Sequence, residues 1–212
     1  MKTQKNIIKF KINNKEYKVK KGDSLLKAAG ENGIHIPTLC YAPIFPPSAS
    51  CRICLVEIKG QKGLRTACST LVEEGMEILA ETENVKKARK TNLKLLYANH
   101  IGKCPTCISF QKCELLRLVS KYNATSKINL RLKKIDIPID DSGVVVFDLK
   151  KCIKCRRCIW ACKEYGSDVL TIKGKGFGTR ISTKNGKKLK DSGCIGCKQC
   201  AQVCPVGAIF EK

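Results

Sequence analysis

Hydrophobic and polar residues alternate near the start of the chain, with the period of two that is typical of half-buried β-strands. Two alternating stretches, Ile7 to Ile12 and Glu16 to Lys20, flank the turn-forming pair Asn13-Asn14. A further stretch, Leu55 to Lys59, is also strand-like. The pattern therefore predicts a β-hairpin and, later in the chain, a return strand.

Apolar residues recur at helical spacing in three other stretches. The first follows Asp23 and Ser24, either of which can cap a helix, and it stops near the glycines of Gly30 to Gly33. The other two run from Glu83 to Asn99 and from Glu114 to Tyr122. No apolar run reaches the length of about eighteen residues that suggests a membrane-spanning helix, so we expect no direct membrane insertion.

The first group of cysteines adds a metal site to the hairpin, the helix and the return strand. Its spacing is Cys40-x10-Cys51-x2-Cys54-x13-Cys68. Plant-type ferredoxins have about four residues between the first two cysteines, so we interpret Tyr41 to Ser50 as an inserted loop. Together these features predict a β-grasp ferredoxin domain whose four cysteines hold a 2Fe-2S cluster. A zinc site with four cysteine ligands is the alternative.

The second group, Cys104-x2-Cys107-x5-Cys113, leaves a 4Fe-4S cubane one ligand short. His100, four residues before Cys104, is the candidate for the fourth ligand because imidazole binds iron. A histidine at the end of a helix can instead act as a cap or a packed side chain. The other histidine, His35, has no neighbouring cysteine deficit and is assigned no role.

The last eight cysteines form two runs of identical spacing, which is the signature of a ferredoxin domain with two cubanes. The runs are Cys152-x2-Cys155-x2-Cys158-x3-Cys162 and Cys194-x2-Cys197-x2-Cys200-x3-Cys204-Pro205. Three closely spaced thiolates can wrap one face of a cubane. The fourth cysteine, expected at the start of a helix, is left to face the neighbouring cluster.

The ligand sets of the two cubanes are therefore expected to cross between the runs. One set is Cys152, Cys155, Cys158 and Cys204, and the other is Cys194, Cys197, Cys200 and Cys162. A pair of zinc sites is the alternative. It is disfavoured because four cysteines within eleven residues crowd the thiolates more than the separated CxxC pairs of a tetrahedral zinc site do.

The charge of the chain bears on its partners. It has 41 lysine and arginine residues against 18 acidic ones, a net charge of +23, spread along the whole length. The basic residues of the second predicted helix, Lys86, Lys87, Arg89 and Lys90, are interpreted as a solvated face. Nucleic acid is one explanation for such charge. Docking to acidic partner subunits is the better one, since anionic clusters offset part of the charge and complementary potentials steer association.

Two segments between the cysteine groups are predicted to be connections. Lys127 to Gly143 contains a proline and several turn-forming residues, and it is predicted to be a linker. The glycines of Gly174 to Gly178 do not match a dinucleotide-binding fingerprint and are predicted to form a turn. The pair Asn185-Gly186 predicts a second hairpin.

Length and thiol content indicate the setting. The chain of 212 residues divides into small modules that are short of apolar residues, so metal binding is expected to supply much of their folding energy. The fifteen cysteines argue for metal ligation in a reducing compartment and against a disulfide framework. The basic N-terminus lacks the apolar core of a signal peptide, so we expect a soluble, cytoplasmic protein.

The order of the three cysteine groups resembles a known set of proteins. It is similar to the N-terminal iron-sulfur region of the NADH:quinone oxidoreductase large subunit, to the same region of iron-iron hydrogenases and, above all, to the small diaphorase subunit of NAD-linked hydrogenases. The most specific matching segments are Ser50 to Glu57, His100 to Leu115, Cys152 to Glu164 and Cys204 to Phe210. Lys163 stands after Cys162 where bacterial ferredoxins have proline.

The resemblance implies a role in electron transfer. In these families a histidine at the matching place ligates a cubane, which supports His100. The sequence stops eight residues after Cys204, with no cysteines left for a hydrogen-activating cluster and nothing that resembles a flavin or nicotinamide site. We therefore expect a subunit with one 2Fe-2S and three 4Fe-4S clusters and no catalytic centre of its own.

The predicted fold class is α+β. The expected domains are a β-grasp 2Fe-2S ferredoxin at 1–82, a helical His/Cys3 module at 83–126, a linker at 127–143 and a double 4Fe-4S ferredoxin at 144–212. The expected partners are a flavoprotein that handles NAD(P)H and a second redox subunit such as a hydrogenase or formate dehydrogenase, with ferredoxin as a further partner if the complex bifurcates electrons. Two alternatives are an N-terminal fragment of a longer iron-iron hydrogenase and a basic zinc protein that binds nucleic acid.

Overall fold

The computed structural model describes residues 7–100, 104–125 and 138–212. These residues group into two compact units: residues 7–38 with 51–92, and residues 39–50 with the described part of 93–212. The division differs from the predicted boundary between residues 82 and 83. Most of the predicted linker, from residue 127 to residue 137, lies outside the described residues.

The first unit is built on a five-stranded mixed sheet with the strand order β2-β1-β5-β3-β4. The predicted hairpin is confirmed, since Ile7 pairs with Lys20 and Ile12 with Lys15. Asn13 and Asn14 both have positive φ, as the tight turn requires. Strand β1 also pairs in parallel with β5. The strands are β1 (Ile7–Ile12), β2 (Lys15–Lys20), β3 (Leu55–Ile58), β4 (Leu64–Thr66) and β5 (Glu77–Leu79).

Helix α1 (Leu25–Glu31) begins at the predicted cap, where the Ser24 hydroxyl accepts a hydrogen bond from the Lys27 amide at 3.3 Å. Its apolar residues are buried, as are Phe10, Ile12 and Ile78 of the sheet. The Leu26 amide donates to the carbonyl of Ala67 at 2.9 Å. This bond fixes the start of the helix beside the chain segment that carries Cys68.

Helix α2 (Glu83–Asn99) has the predicted bounds and is capped by the Thr82 hydroxyl, which accepts from the Val85 amide at 3.2 Å. The prediction of a solvated basic face on this helix is wrong for one residue. Arg89 is fully buried and donates to the carbonyl of Leu55 and to the carboxylate of Glu81, at 2.9 Å each. A charge this deeply buried is a structural anchor and not part of a solvated face.

The second unit consists of short elements. A three-stranded antiparallel sheet has the order β10-β7-β6, and β8 and β9 form a separate hairpin. Helix α3 ends one residue before the predicted limit. The helices are α3 (Glu114–Lys121), α4 (Arg157–Tyr165) and α5 (Gln199–Gln202). The strands are β6 (Asp140–Asp141), β7 (Val145–Phe147), β8 (Leu170–Lys173), β9 (Arg180–Thr183) and β10 (Ile209–Glu211).

Two predicted connections differ from the structure. The hairpin of β8 and β9 turns through the glycines of Gly174 to Gly178, and not at Asn185-Gly186, which follows β9 as a plain turn. A β-carbon on Gly174 would lie 2.3 Å from the carbonyl oxygen of Gly178, so this turn requires glycine. The end of the predicted linker is also structured, because Asp140 pairs in β6 and accepts a hydrogen bond from the Leu189 amide.

The core of the second unit contains cysteines among its aliphatic and aromatic residues. Cys158, Cys162 and Cys200 are buried in it, and Cys152, Cys194 and Cys204 pack against it. Thiol side chains are thus part of the core of this unit. In the part of the chain that the structure describes, no helix is long and apolar enough to cross a membrane.

Candidate metal centres

The first unit brings together two cysteines of the first group at one end of a strand pair. Cys54 immediately precedes β3 and Cys68 follows β4, and these strands pair antiparallel. The amide of Ala67 donates to the carbonyl of Cys54 at 2.9 Å, which extends the pairing to the cysteines themselves. Cys51, Cys54 and Cys68 are all buried.

Helix α2 holds the loop between Cys51 and Cys54 in place. The side-chain amide of Asn92 donates to the carbonyl of Arg52 at 2.8 Å, and Arg89 donates to the carbonyl of Leu55. Arg52 itself has positive φ. The sequence did not single out Asn92, and it predicted a solvated Arg89. The only sequence signal of their role is a spacing of three residues, which places them on one face of the helix.

Cys40, the remaining predicted ligand of the 2Fe-2S cluster, is buried within the segment 39–50 that groups with the second unit. Its membership of this ligand set stays a prediction.

The second group of cysteines lies around the start of α3. Cys113 is the N-cap of that helix, and its sulfur accepts a hydrogen bond from the Leu116 amide at 3.4 Å. Burial raises the pKa of the Cys113 thiol, and the negative charges of Cys104 and Cys107 add to the rise while amide hydrogen bonds oppose it. Cys104 and Cys107 therefore lie close enough to Cys113 for their charges to oppose its ionisation.

His100 is buried, and its Nδ1 lies 2.7 Å from the carbonyl oxygen of Lys151. A carbonyl can only accept, so Nδ1 carries the proton and donates, which leaves the lone pair on Nε2. Burial lowers the pKa of His100, although the bond to Lys151 opposes the shift. A neutral imidazole with one nitrogen fixed on a backbone carbonyl is the usual form of a metal-binding histidine.

Tyr97, one helical turn before His100, was not singled out by the sequence. Burial raises the pKa of its hydroxyl, and the charge of Cys104 together with a hydrogen bond to that residue raises it further. Tyr97 thus keeps its proton and can donate it toward the sulfur of Cys104. Hydrogen bonds to cluster thiolates are among the factors that set reduction potentials.

The two runs of the third group share one backbone conformation. Left-handed residues stand two and four positions after the first cysteine of each run. In the first run they are Lys154 and Arg156, and in the second Gly196 and Lys198. This repeated coil turns the chain tightly around a centre and points amides inward. The amide of Lys154 donates to the sulfur of Cys152 at 3.3 Å.

The fourth cysteine of each run does not begin a helix, contrary to expectation. Cys162 lies within the second half of α4, and Cys204 follows the end of α5 by two residues. The end of α4 approaches the other run, because a β-carbon on Gly166 would lie 3.1 Å from the sulfur of Cys197.

Two cavities lie beside these runs, and each is lined by four cysteines drawn from both. The first is lined by Cys152, Cys155, Cys158 and Cys204 with Ile153, Arg156, Ile181, Pro205, Val206, Ala208 and Ile209. The second is lined by Cys162, Cys194, Cys197 and Cys200 with Val145, Ser167, Val169, Leu170, Leu189, Gly196 and Lys198.

The thiols around the cavities are hard to ionise without a counter-charge. Burial raises the pKa of Cys152 to about 11 and those of Cys155 and Cys200 to about 12, and neighbouring cysteine charges add to each rise. Burial also raises the pKa of Cys158 well above its ordinary value. A bound iron-sulfur core would supply the positive charge that such thiolates need, so the residues fit this group.

Among the described residues, no three or more acidic, histidine or cysteine side chains form a site for a metal ion. Each of the two cavities nevertheless has four cysteines in its lining.

Three known protein families match successive parts of the chain. A 2Fe-2S iron-sulfur cluster binding domain matches residues 5–83, the NADH-ubiquinone oxidoreductase-G iron-sulfur binding region matches residues 89–127, and a 4Fe-4S dicluster domain matches residues 145–210. The chain thus contains 2Fe-2S and 4Fe-4S ferredoxin-type domains in a mixed α/β structure.

Curated relatives confirm the resemblance that the sequence suggested. Over 210 residues the chain is 36% identical to an NADH-quinone oxidoreductase subunit of Rhizobium meliloti (strain 1021), in a match that covers 97% of this chain and 24% of the relative. It is 32% identical to the NADP-reducing hydrogenase subunit HndD of Solidesulfovibrio fructosivorans and 35% identical to iron hydrogenase 1 of Clostridium pasteurianum. These two matches cover 97% and 95% of this chain, and 36% and 35% of the relatives.

The chain thus spans between about a quarter and a third of the length of these relatives. A solved structure matches over most of its own length. It is a chain of an NAD+-reducing NiFe-hydrogenase in the H2-reduced state, with a TM-score of 0.88, 27% identity, and coverage of 97% of this chain and 87% of that chain.

Proposed function

We propose that the chain is an electron-transfer subunit that carries one 2Fe-2S and three 4Fe-4S clusters. The observation that supports this most strongly is the pair of cavities in the second unit, each lined by four cysteines from two distant runs. Clusters ligated in this way accept and release single electrons and need no substrate pocket.

The proposed ligand sets follow the predicted ones, and so do the finer domains. A β-grasp 2Fe-2S domain uses the first cysteine group, a helical His/Cys3 module uses the second, and a two-cubane domain uses the third. The sets are Cys40, Cys51, Cys54 and Cys68 for the 2Fe-2S cluster; His100, Cys104, Cys107 and Cys113; Cys152, Cys155, Cys158 and Cys204; and Cys194, Cys197, Cys200 and Cys162.

The role of His100 is tested by His100→Ala with His35→Ala as the matched control, since His35 is exposed. His100→Ala is expected to alter the paramagnetic resonance signal of one cubane and to leave those of the other clusters in place. His35→Ala should leave every signal unchanged. Unchanged spectra in His100→Ala would return this residue to a capping or packing role.

The crossed ligand sets are tested by serine substitutions of the fourth cysteine in each run. Cys204→Ser is expected to perturb the cluster at Cys152 and Cys155, and Cys162→Ser the cluster at Cys194 and Cys197. If each variant instead disturbs only the cluster of its own run, the two runs bind clusters separately and the crossed assignment is wrong.

The relatives suggest the setting in which the electrons move. They are named as a subunit of a quinone oxidoreductase, a subunit of an NADP-reducing hydrogenase and an iron hydrogenase. We propose a multisubunit NAD(P)H-linked oxidoreductase in which this chain passes electrons between a flavoprotein and a second redox subunit, such as a hydrogenase or formate dehydrogenase.

The electron-transfer role is tested with anaerobically purified protein. The chain alone is expected to be reduced by dithionite but not by NADH or NADPH, because it has clusters but no proposed site for hydride transfer. Adding its flavoprotein partner should allow reduction by one of the two nucleotides. Reduction of the flavin-free chain by either nucleotide would contradict the proposal.

A second candidate is the N-terminal portion of a longer iron-iron hydrogenase. It is favoured by the match to iron hydrogenase 1 over 207 residues, which is 35% of that relative. The mass of the native protein, taken from cells of its source, distinguishes the two. A species near 23.5 kDa supports the separate subunit, and a much larger polypeptide supports the hydrogenase.

A further inference from the structure

A bidentate ion pair lies between the modules of the second and third cysteine groups. The guanidinium of Arg157 donates to both carboxylate oxygens of Glu114, at 2.7 and 2.9 Å. The side chain of Arg157 is 11% exposed and that of Glu114 is 30% exposed. Paired forks of this kind fix both partners in orientation as well as in distance.

Both partners are next in the chain to cysteines that are proposed cluster ligands. Glu114 directly follows Cys113, and its amide donates to the carbonyl of Pro205 at 2.9 Å, one residue after Cys204. The amide of Arg157 donates to the sulfur of Cys155. The ion pair is therefore embedded in the backbone that surrounds the cubane proposed at Cys155 and Cys204.

The position of Arg157 is unfavourable unless an anion lies close to it. It is the first residue of α4, where the helix dipole repels a cation, and the first turn of α4 contains no acidic residue. Its Nε is buried and, among the described residues, has no hydrogen-bond partner. Glu114 accepts hydrogen bonds from the two terminal nitrogens only. The buried Nε–H is left as a donor for an anionic cluster.

We propose that Arg157 is a tuning residue that raises the reduction potential of the cubane held at Cys155, and that Glu114 both positions the guanidinium and limits its effect. The inference rests on the proposed function. A fixed positive charge stabilises the reduced cluster, which carries one more negative charge than the oxidised one. The negative charge of the Glu114 carboxylate lowers the reduction potential of the same cluster.

The test is a redox titration followed by paramagnetic resonance on the anaerobically purified whole chain. Arg157→Gln is expected to lower the midpoint potential of the Cys155 cubane. The ratio of reduced to oxidised cluster at a fixed potential should fall about tenfold, which is about 59 mV for a one-electron couple. Glu114→Gln should shift the same midpoint upward. Arg157→Lys, which keeps the charge, should stay nearer to the original value than Arg157→Gln does.

Arg180→Gln is the matched control, because Arg180 lies in the same unit at the start of β9, is exposed and lines neither of the two cavities. Its charge is screened by solvent. The ratio of reduced to oxidised cluster at the same fixed potential should therefore change by no more than about twofold. Midpoints that move in the same direction in Arg157→Gln and Glu114→Gln would overturn the proposal, since that pattern indicates loosened packing. An unmoved midpoint in both would overturn it as well.

Iron analysis separates this inference from the proposed function. A wild-type chain without iron-sulfur clusters would contradict the proposed function, whereas clusters that assemble with unshifted potentials would contradict the role of Arg157 alone. If Arg157→Gln fails to assemble the cubane, the sign of the shift in Glu114→Gln decides the proposal.

Discussion

The unit of residues 7–38 and 51–92 buries mainly aliphatic side chains around a helix and a five-stranded sheet, whereas the core of the double-cluster region contains cysteines. In the first, Phe10, Ile12, Leu25 and Ile78 are almost fully buried. In the second, Cys158, Cys162 and Cys200 lie among the core residues. A core of the first kind is stabilised mainly by the hydrophobic effect, while thiols that surround a cavity leave the second dependent on what fills it.

The difference shows how a small protein can divide its sources of stability. The strand pairs of the first unit provide a continuous hydrogen-bonded sheet, and only its loops carry cysteines. The longest strands of the second unit have four residues. Such short elements bury too little apolar surface to offset the entropy lost in ordering them, so cluster binding must supply the balance.

The largest expected effect is therefore that of removing iron. In protein stripped of iron under reducing conditions, amides of β8, β9 and β10 should lose their protection from hydrogen exchange, because the core that they cover is no longer filled. Amides of β1 and β2 should keep much of theirs. Mass spectrometry of peptides after exchange measures both. Equal loss of protection in the two units would contradict the claim that the second unit depends more on its clusters than the first.

A smaller loss of stability is expected when the buried arginine of the first unit is replaced. Arg89→Met leaves the carbonyl of Leu55 without this donor and should lower the free energy of unfolding of the first unit by about 3 kcal/mol. Lys87→Met, on the same helix and exposed, should change it by no more than about 0.5 kcal/mol. Denaturant unfolding followed by circular dichroism gives both values. Equal effects of the two substitutions would contradict the anchoring role of Arg89.

The smallest effect concerns packing beside one cluster of the second unit. A β-carbon on Gly166 would lie 3.0 Å from the carbonyl oxygen of Cys162 and 3.1 Å from the sulfur of Cys197. Gly166→Ala should destabilise this unit by about 1–2 kcal/mol and should alter one cubane signal. A β-carbon on Gly178 would have no atom within 4 Å, so Gly178→Ala serves as the control. If both substitutions leave stability and spectra unchanged, the close approach is not a constraint.

Local patterns predicted the regular elements well. The hairpin, α1 and α2 lie within one or two residues of their predicted bounds, since alternation, caps and helical spacing are encoded in adjacent residues. Strands β4 and β5 were not predicted, because three residues carry too little pattern and their pairing with β3 depends on distant parts of the chain. The hairpin expected at Asn185-Gly186 was wrong for a similar reason, as no partner strand follows that turn among the described residues.

Cysteine spacing located the candidate sites, but not the residues that support them. The bond from His100 to the carbonyl of Lys151 spans 51 residues, and the ion pair between Glu114 and Arg157 spans 43. Contacts over such separations leave no periodic signal. Arg89 illustrates the same limit, since its burial depends on the carbonyl of Leu55 and not on its basic neighbours in the helix.

Cluster content tests the central claim most directly. Iron and acid-labile sulfide should be measured in the anaerobically purified chain, together with zinc, and compared with the protein concentration from amino-acid analysis. One 2Fe-2S and three 4Fe-4S clusters predict about fourteen iron atoms and about fourteen sulfides per chain. Stoichiometric zinc with little iron or sulfide would contradict the account.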